Sequence, residues 1–430
     1  MCEPLPRPDP ATARLHTLAN GVRVVCDPIP GLETTALSVV AGRGAGFEDE
    51  ARSGWSHLLE HMVFKGAGGR SARDIVEVIE AQGGQINAAT GYERTSYQVR
   101  ALEGGLDLGM AVLADLVQRP VMAADELARE KQVVAQEIAE AADTPDDLVF
   151  EMAQAAAFDG PLGRPILGTV ESIGGATPKA LEAWRAALYA PESLVVSAAG
   201  AVDEDVLLAL AEREFGGAVS SGAPAEPPAS GFVGGVKTAA KALEQANLVL
   251  LLPTAGVRDP DYFALRLFAE ILGGGMASRL FQEAREKRGL AYAIDAFADT
   301  YADTGVLGVF AGCAAKDAGE LAKVAAGEIA ALAGSVTDGE LARAKAQLKG
   351  SMFMGRESPL SRAEQAAGQV LLFDRPLPTR ELAAQIDAVT AADLRRVGDA
   401  MLAPRRAAVA VLGPRSALKA AQAFGPGLFA

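Results

Sequence analysis

Two stretches of this chain repeat one another at a nearly constant separation. Asp125-Glu126-Leu127-Ala128-Arg129 is answered by Asp338-Gly339-Glu340-Leu341-Ala342-Arg343, which sets Glu126 against Glu340. Ile173-Gly174-Gly175-Ala176-Thr177 is answered by Ile386-Asp387-Ala388-Val389-Thr390, which sets Ile173 against Ile386. The two separations differ by a single position. Spacing held across two separate elements marks one large duplicated unit rather than a short solenoid repeat. The chain must therefore fold as two halves of one design. Residues 216–236 between them are rich in Gly, Ser, Ala and Pro, including Pro224, Pro227 and Pro228. Such composition favours extended, solvated backbone. The expected organisation is a first domain over 1–215, a linker over 216–236 and a second domain over 237–430.

Each half mixes the period of two with the helical period. In the first, strands are expected at 23–26, 35–41, 85–90, 95–101 and 194–198, and helices at 55–65, 72–81, 104–118 and 125–142. The turn Gly91-Tyr92-Glu93-Arg94 joins two strands as a hairpin. In the second half a helix and then a strand at 407–412 follow Thr390, as a helix and 194–198 follow Thr177. The expected fold class is α+β. Each half is a mixed, mainly antiparallel sheet with helices packed on one face, and the two halves form a clamshell.

Charge excludes one class of partner. A net charge of −15 speaks against nucleic acid, whose phosphates call for clustered Lys and Arg. The three cysteines, Cys2, Cys26 and Cys313, form no C-x-x-C pair, so neither a disulfide framework nor a thiolate metal site is expected. No apolar run is long enough to span a bilayer and no signal peptide is visible, so a cytoplasmic location without membrane partners is expected, or a matrix-like one after removal of a targeting segment.

The chemistry concentrates in His57-Leu58-Leu59-Glu60-His61. Four residues of α-helix advance about 400°, so the two imidazoles lie about 40° apart on one face. Imidazoles one turn apart can converge on one cation, and zinc suits them. Glu60 sits beside that face, where it can reach a water on the metal without binding the metal. Ser53 is the expected N-cap, with Leu58, Leu59, Met62 and Val63 on the buried side. An ordinary amphipathic helix is the competing reading. It must explain why two of only three histidines in the chain fall one turn apart with Glu between them. A catalytic zinc takes a third protein ligand and keeps a position open. The helix over 125–142 offers Glu126, Glu130, Glu137 and Glu140, among which periodicity does not choose. Glu130 and Glu137 share a face to within about 20°.

The order H-x-x-E-H is the inverzincin signature. With it the chain resembles the pitrilysin family of zinc peptidases, and within that family the processing peptidase β subunit and its bacterial relatives. The resemblance runs through Leu162-Gly163-Arg164-Pro165-Ile166-Leu167-Gly168 and over essentially the whole chain. It implies a zinc metalloendopeptidase with Glu60 as general base. The spacing of the family's third ligand from the second histidine selects Glu137, and a supporting Glu seven positions earlier matches Glu130. It also implies that Arg285 and Tyr292, seven positions apart, close over the substrate as donors to developing charge. Asn87, Ala88 and Thr90 fall on the family's substrate-binding edge strand. Asp147 and Glu151 match acids that bind an Arg near the cleavage point.

The second half contains no histidine, so one zinc per chain is expected. Both the metal set and the Arg–Tyr pair occur in one chain, and a homodimer acting on extended peptides or unfolded segments follows as the expectation. A non-catalytic scaffold or peptide-binding subunit of the same family is the alternative, and the intact His57, Glu60, His61 and Glu137 speak against it.

Overall fold

The computed structural model describes residues 13–219 and 227–429. Pro224 of the expected linker and Cys2 lie outside the described residues.

The first half opens with β1 (Arg14–Thr17), β2 (Arg23–Pro28) and β3 (Thr34–Ala41), then α1 (Trp55–Val63). A short hairpin of β4 (Gly66–Ala67) and β5 (Arg70–Ser71) leads into α2 (Ala72–Glu80), β6 (Gln85–Thr90) and β7 (Thr95–Leu102). Helices α3 (Leu106–Gln118), α4 (Ala124–Asp143), α5 (Pro145–Ala157), α6 (Val170–Gly174) and α7 (Pro178–Leu188) follow, then β8 (Leu194–Gly200) and α8 (Glu204–Phe215). The second half runs β9 (Gly235–Ala240), β10 (Gln245–Ala255), α9 (Tyr262–Gly273) and a π-helical segment Phe281–Lys287. Next come β11 (Ala291–Thr300), β12 (Thr304–Ala314), α10 (Ala318–Ser335), α11 (Asp338–Gly355) and α12 (Pro359–Phe373). The half ends with α13 (Thr379–Ala388), α14 (Ala391–Leu402), β13 (Ala408–Gly413) and α15 (Phe424–Leu428).

The duplication is visible in the strand order. The first sheet runs β1-β2-β8-β3-β7-β6 and the second β9-β13-β10-β12-β11. Each has one parallel pair at the corresponding place, β2 with β8 and β9 with β13, and is otherwise antiparallel. The hairpin expected around Gly91–Arg94 pairs Thr90 with Thr95. Expected elements are found within a few positions of their expected ends.

Helices cover one face of each sheet in two main cores. One gathers Leu58, Leu59, Met62, Met110 and Leu113 against Leu37, Val39 and Tyr97. The other gathers Leu267, Phe268, Leu321 and Ile329 against Leu248, Leu250 and Val309. The reverse face of each sheet carries one further helix, and it comes from the other half. Val149 and Ala153 of α5 pack on Val249, Leu251, Ala408 and Ala410 of the second sheet. Ala366, Ala367 and Val370 of α12 pack on Val25, Val40 and Val195 of the first. The first residues of α5 and α12, Pro145 and Pro359, hold equivalent places in the two repeats. Both stand at the start of a helix, where a missing N–H costs nothing. Duplication has made the exchange reciprocal.

Polar contacts lock it. Asp27, 1% exposed, receives the Arg362 guanidinium on both carboxylate oxygens, at 2.7 and 2.5 Å. Gln154 donates to the Tyr301 hydroxyl at 2.7 Å, and Glu93 accepts from the Ala302 N–H at 2.7 Å. Among the described residues no helix is long and apolar enough to cross a membrane.

Candidate metal centre

Helix α1 starts after Gly54, held at φ +86. The expected cap is corrected here: the Ser53 hydroxyl is buried without a hydrogen-bond partner. The free N–H groups of this terminus go instead to Glu48, whose carboxylate accepts from Gly54 N–H at 2.7 Å and Ser56 N–H at 2.6 Å. A distant carboxylate does what a local serine was expected to do, and it suits the positive end of the helix dipole.

On α1, Leu58, Leu59, Met62 and Val63 are fully buried, which turns His57 and His61 toward α4. Their rings lie 4.6 Å apart between centroids, edge to face. Glu137 of α4 brings Oε2 to 3.6 Å from His61 Nε2 and 3.9 Å from His57 Nε2. One donor atom from each of the three lies within 4.8 Å of the others. Tetrahedral zinc with bonds of about 2.0–2.1 Å separates its ligand atoms by about 3.3 Å, so small side-chain adjustments bring the three into a coordination sphere. Glu137 Oε2 is buried and accepts no hydrogen bond although two ring nitrogens face it. A cation between them would satisfy it. Among the described residues no other group of three His, Cys, Asp or Glu side chains converges this way.

The surroundings of His57 favour the neutral imidazole that a metal needs. Burial, with the neighbouring His61 adding to it, pushes the His57 pKa down to about 4. His61 Nδ1 lies 3.0 Å from Glu130 Oε2, and Glu130 Oε1 is 2.9 Å from Lys65 Nζ. Glu130, its side chain only 6% exposed, stands where the expected supporting acid would stand. An acid at that place would accept the Nδ1 proton and leave Nε2 free to bind. Sequence reasoning misses Lys65, which stands one helical turn past His61. That i+4 spacing is the signal that could have found it.

Glu60 stands beside the ligands with Thr90 donating to its Oε2 at 2.5 Å. Burial raises its carboxyl above the ordinary range, and the Thr90 hydroxyl works against that rise. Thr90 ends β6, the outermost strand of the first sheet. One edge of β6 pairs with β7, and Asn87 and Ala88 lie along it at the register positions of Gln98 and Tyr97. The other edge of β6 pairs with no strand among the described residues.

Other expected residues make no hydrogen bond or ion pair with this group. Arg285 and Tyr292 stack together, with the guanidinium 5.9 Å from the Tyr292 ring centre and 4.7 Å from that of Phe281. Tyr292 is 75% exposed, on the outermost strand β11. Neither makes a hydrogen bond, ion pair or ring contact with His57, Glu60, His61 or Glu137. Asp147 and Glu151 sit one turn apart on α5, and no cation pairs with either among the described residues. Burial and the nearby Asp147 both raise the Glu151 carboxyl. A cavity of about 140 Å³ lies between α9 and α11, the counterparts of α1 and α4. Ala344, the counterpart of Glu130 in the second repeat, lines it, and Ser351 stands where the first repeat has the expected ligand Glu137.

Comparison with known proteins agrees. The family Insulinase (Peptidase family M16) matches residues 23–170, and Peptidase M16 inactive domain matches residues 175–348. A Mycobacterium leprae protein named "Uncharacterized zinc protease" is 35% identical over 94% of this chain and 92% of its own length. A Bacillus subtilis protein of the same description is 33% identical over 87% and 92%. A protease structure from Helicobacter pylori superposes with a TM-score of 0.85 at 22% identity, covering 94% of this chain and 99% of that one, a likeness of fold. This chain belongs to peptidase family M16.

Proposed function

We propose that the chain is a zinc metalloendopeptidase that hydrolyses extended peptides or unfolded segments. The observation that carries this reading is the convergence of His57, His61 and Glu137 with Glu60 beside them, in a chain whose relatives are named zinc proteases. One zinc per chain, held by those three residues, would supply Lewis acidity and lower the pKa of a water molecule. With the metal bound, Glu60 would be the base that accepts a proton from water as the water oxygen adds to the peptide carbonyl carbon. Thr90, donating to Glu60 Oε2, holds the carboxylate in place. Glu60 then delivers the proton to the departing amine. Addition of the substrate backbone to β6 fixes an extended chain by main-chain hydrogen bonds, with little regard to side chains.

Arg285 and Tyr292 act as donors to the substrate. Neither makes a hydrogen bond, ion pair or ring contact with the metal ligands, and they stack on each other at the edge of the second sheet. By the family resemblance they close over the substrate from the domain opposite the metal, and the presence of both residue sets in one chain supports a homodimer. Asp147 and Glu151, acidic and without a cation partner among the described residues, favour substrates carrying Arg near the cut. A scaffold role has no specific observation in its favour.

Turnover of a peptide library by wild type and Glu60→Gln, each with metal content measured, tests the reading. The variant should keep its zinc and lose turnover by roughly 10²–10⁴-fold. Equal turnover with zinc retained would overturn it.

A further inference from the structure

The two histidines are held by different means. Glu130 fixes the ring of His61 through Nδ1. The Nδ1 of His57 is buried and has no hydrogen-bond partner at all. The approach of His57 to a metal therefore depends on its backbone, in the first turn of α1.

Both oxygens of Glu48 are spent on it, straddling the terminus at Gly54 and Ser56. Glu48 is itself held. It is 1% exposed, and the Arg164 guanidinium donates to its carbonyl. Arg164 belongs to the segment Leu162–Gly168, whose carbonyl at Arg164 accepts from the Tyr92 hydroxyl at 2.8 Å. The same segment meets α1 backbone to backbone. A Cβ on Gly168, at φ +74, would lie 2.3 Å from the Ser53 carbonyl oxygen, and one on Gly54 would lie 2.4 Å from that of Leu167. Only glycines permit so close an approach. Beyond it, Ser172 Oγ donates to the Ser53 carbonyl at 2.6 Å and Trp55 Nε1 to the Ser172 carbonyl at 2.9 Å.

We infer that Glu48 is a positioning residue for His57. With the segment from Arg164 to Ser172 as its backing, it sets the first turn of α1 and hence the height of the His57 imidazole. The inference rests on the metal site proposed above. It assigns a task to the Leu162–Gly168 motif, which lies outside the ligand set and the proton path. His57 and His61 then have independent supports, and damage to one support leaves the other in place.

The test uses full-length protein and reads metal binding rather than turnover. Zinc affinity is measured by chelator competition, and the absorption spectrum of Co²⁺ in place of zinc reports the ligand geometry. Variants are Glu48→Ala, Glu48→Gln and Arg164→Ala. Thr390→Ala serves as a control, because it removes the cap of α14, away from the metal. Glu48→Ala should bind zinc roughly 10- to 100-fold more weakly, the range seen when supports of metal ligands are removed, with an altered Co²⁺ spectrum. Glu48→Gln keeps one acceptor and should fall between Glu48→Ala and wild type, and Arg164→Ala should change in the same direction. Thr390→Ala should lower the melting temperature and leave zinc affinity unchanged. Glu48 variants that bind zinc like wild type, or lose affinity only as the control does, overturn the inference. If Glu48→Ala does not fold, Glu48→Gln and Arg164→Ala decide. A wild type that binds no zinc would instead sink the metal reading itself.

Discussion

His61 Nδ1 lies 3.0 Å from Glu130 Oε2, on a carboxylate whose other oxygen is 2.9 Å from Lys65 Nζ. That chain of contacts links the two helices of the site and fixes which ring nitrogen of His61 is free. Replacing Glu130 by Ala should weaken zinc binding by roughly 10- to 100-fold. Chelator competition measures it. Lys65→Met should act in the same direction and more weakly, since the acid remains.

The exchange of α5 and α12 predicts that the halves unfold together. Arg362→Ala would leave the Asp27 carboxylate buried without its principal partner, a loss of about 3 kcal/mol or more. Denaturant unfolding should show one transition displaced to lower denaturant. Two resolved transitions would mean that the halves are independent.

How much of this is legible in sequence depends on how local each cause is. His57, Glu60 and His61 can be read because one helical turn relates them. Glu137 cannot be chosen from periodicity, since four acids of α4 are equally eligible until family spacing selects one. The cap of α1 misleads: Ser53 is the right residue type in the right place, but a carboxylate brought in by the fold takes the N–H groups. The apolar stripes of α5 and α12 show that each must be covered. They do not show which sheet covers them, and both cross to the other half.

Stability should carry a pH signature at Glu48. Burial pushes its carboxyl up to about 7, against the Ser56 and Gly54 donors. An unfolded Glu titrates near about 4.3. Between those values the folded state retains a proton that the unfolded state has lost. The contribution of Glu48 is therefore most favourable below about 4.3 and is progressively lost as pH rises to about 7. Glu48→Gln lacks this dependence, so its stability relative to wild type should improve as pH rises from 5 to 8. Denaturant midpoints at several pH values check it.

Substrate preference is tested at Asp147 and Glu151. Peptides with Arg two positions before the cut should be cleaved faster than matched peptides with Ala there. Asp147→Asn with Glu151→Gln should remove most of the difference. Equal rates in wild type would remove the assigned role.

The most direct test is zinc content per chain in wild type and in Glu137→Ala, measured on folded protein after dialysis at limiting free zinc. One equivalent in wild type and a small fraction of that in the variant is the expected result. An unchanged zinc content in Glu137→Ala would contradict the assignment of α1 and α4 as joint holders of the metal.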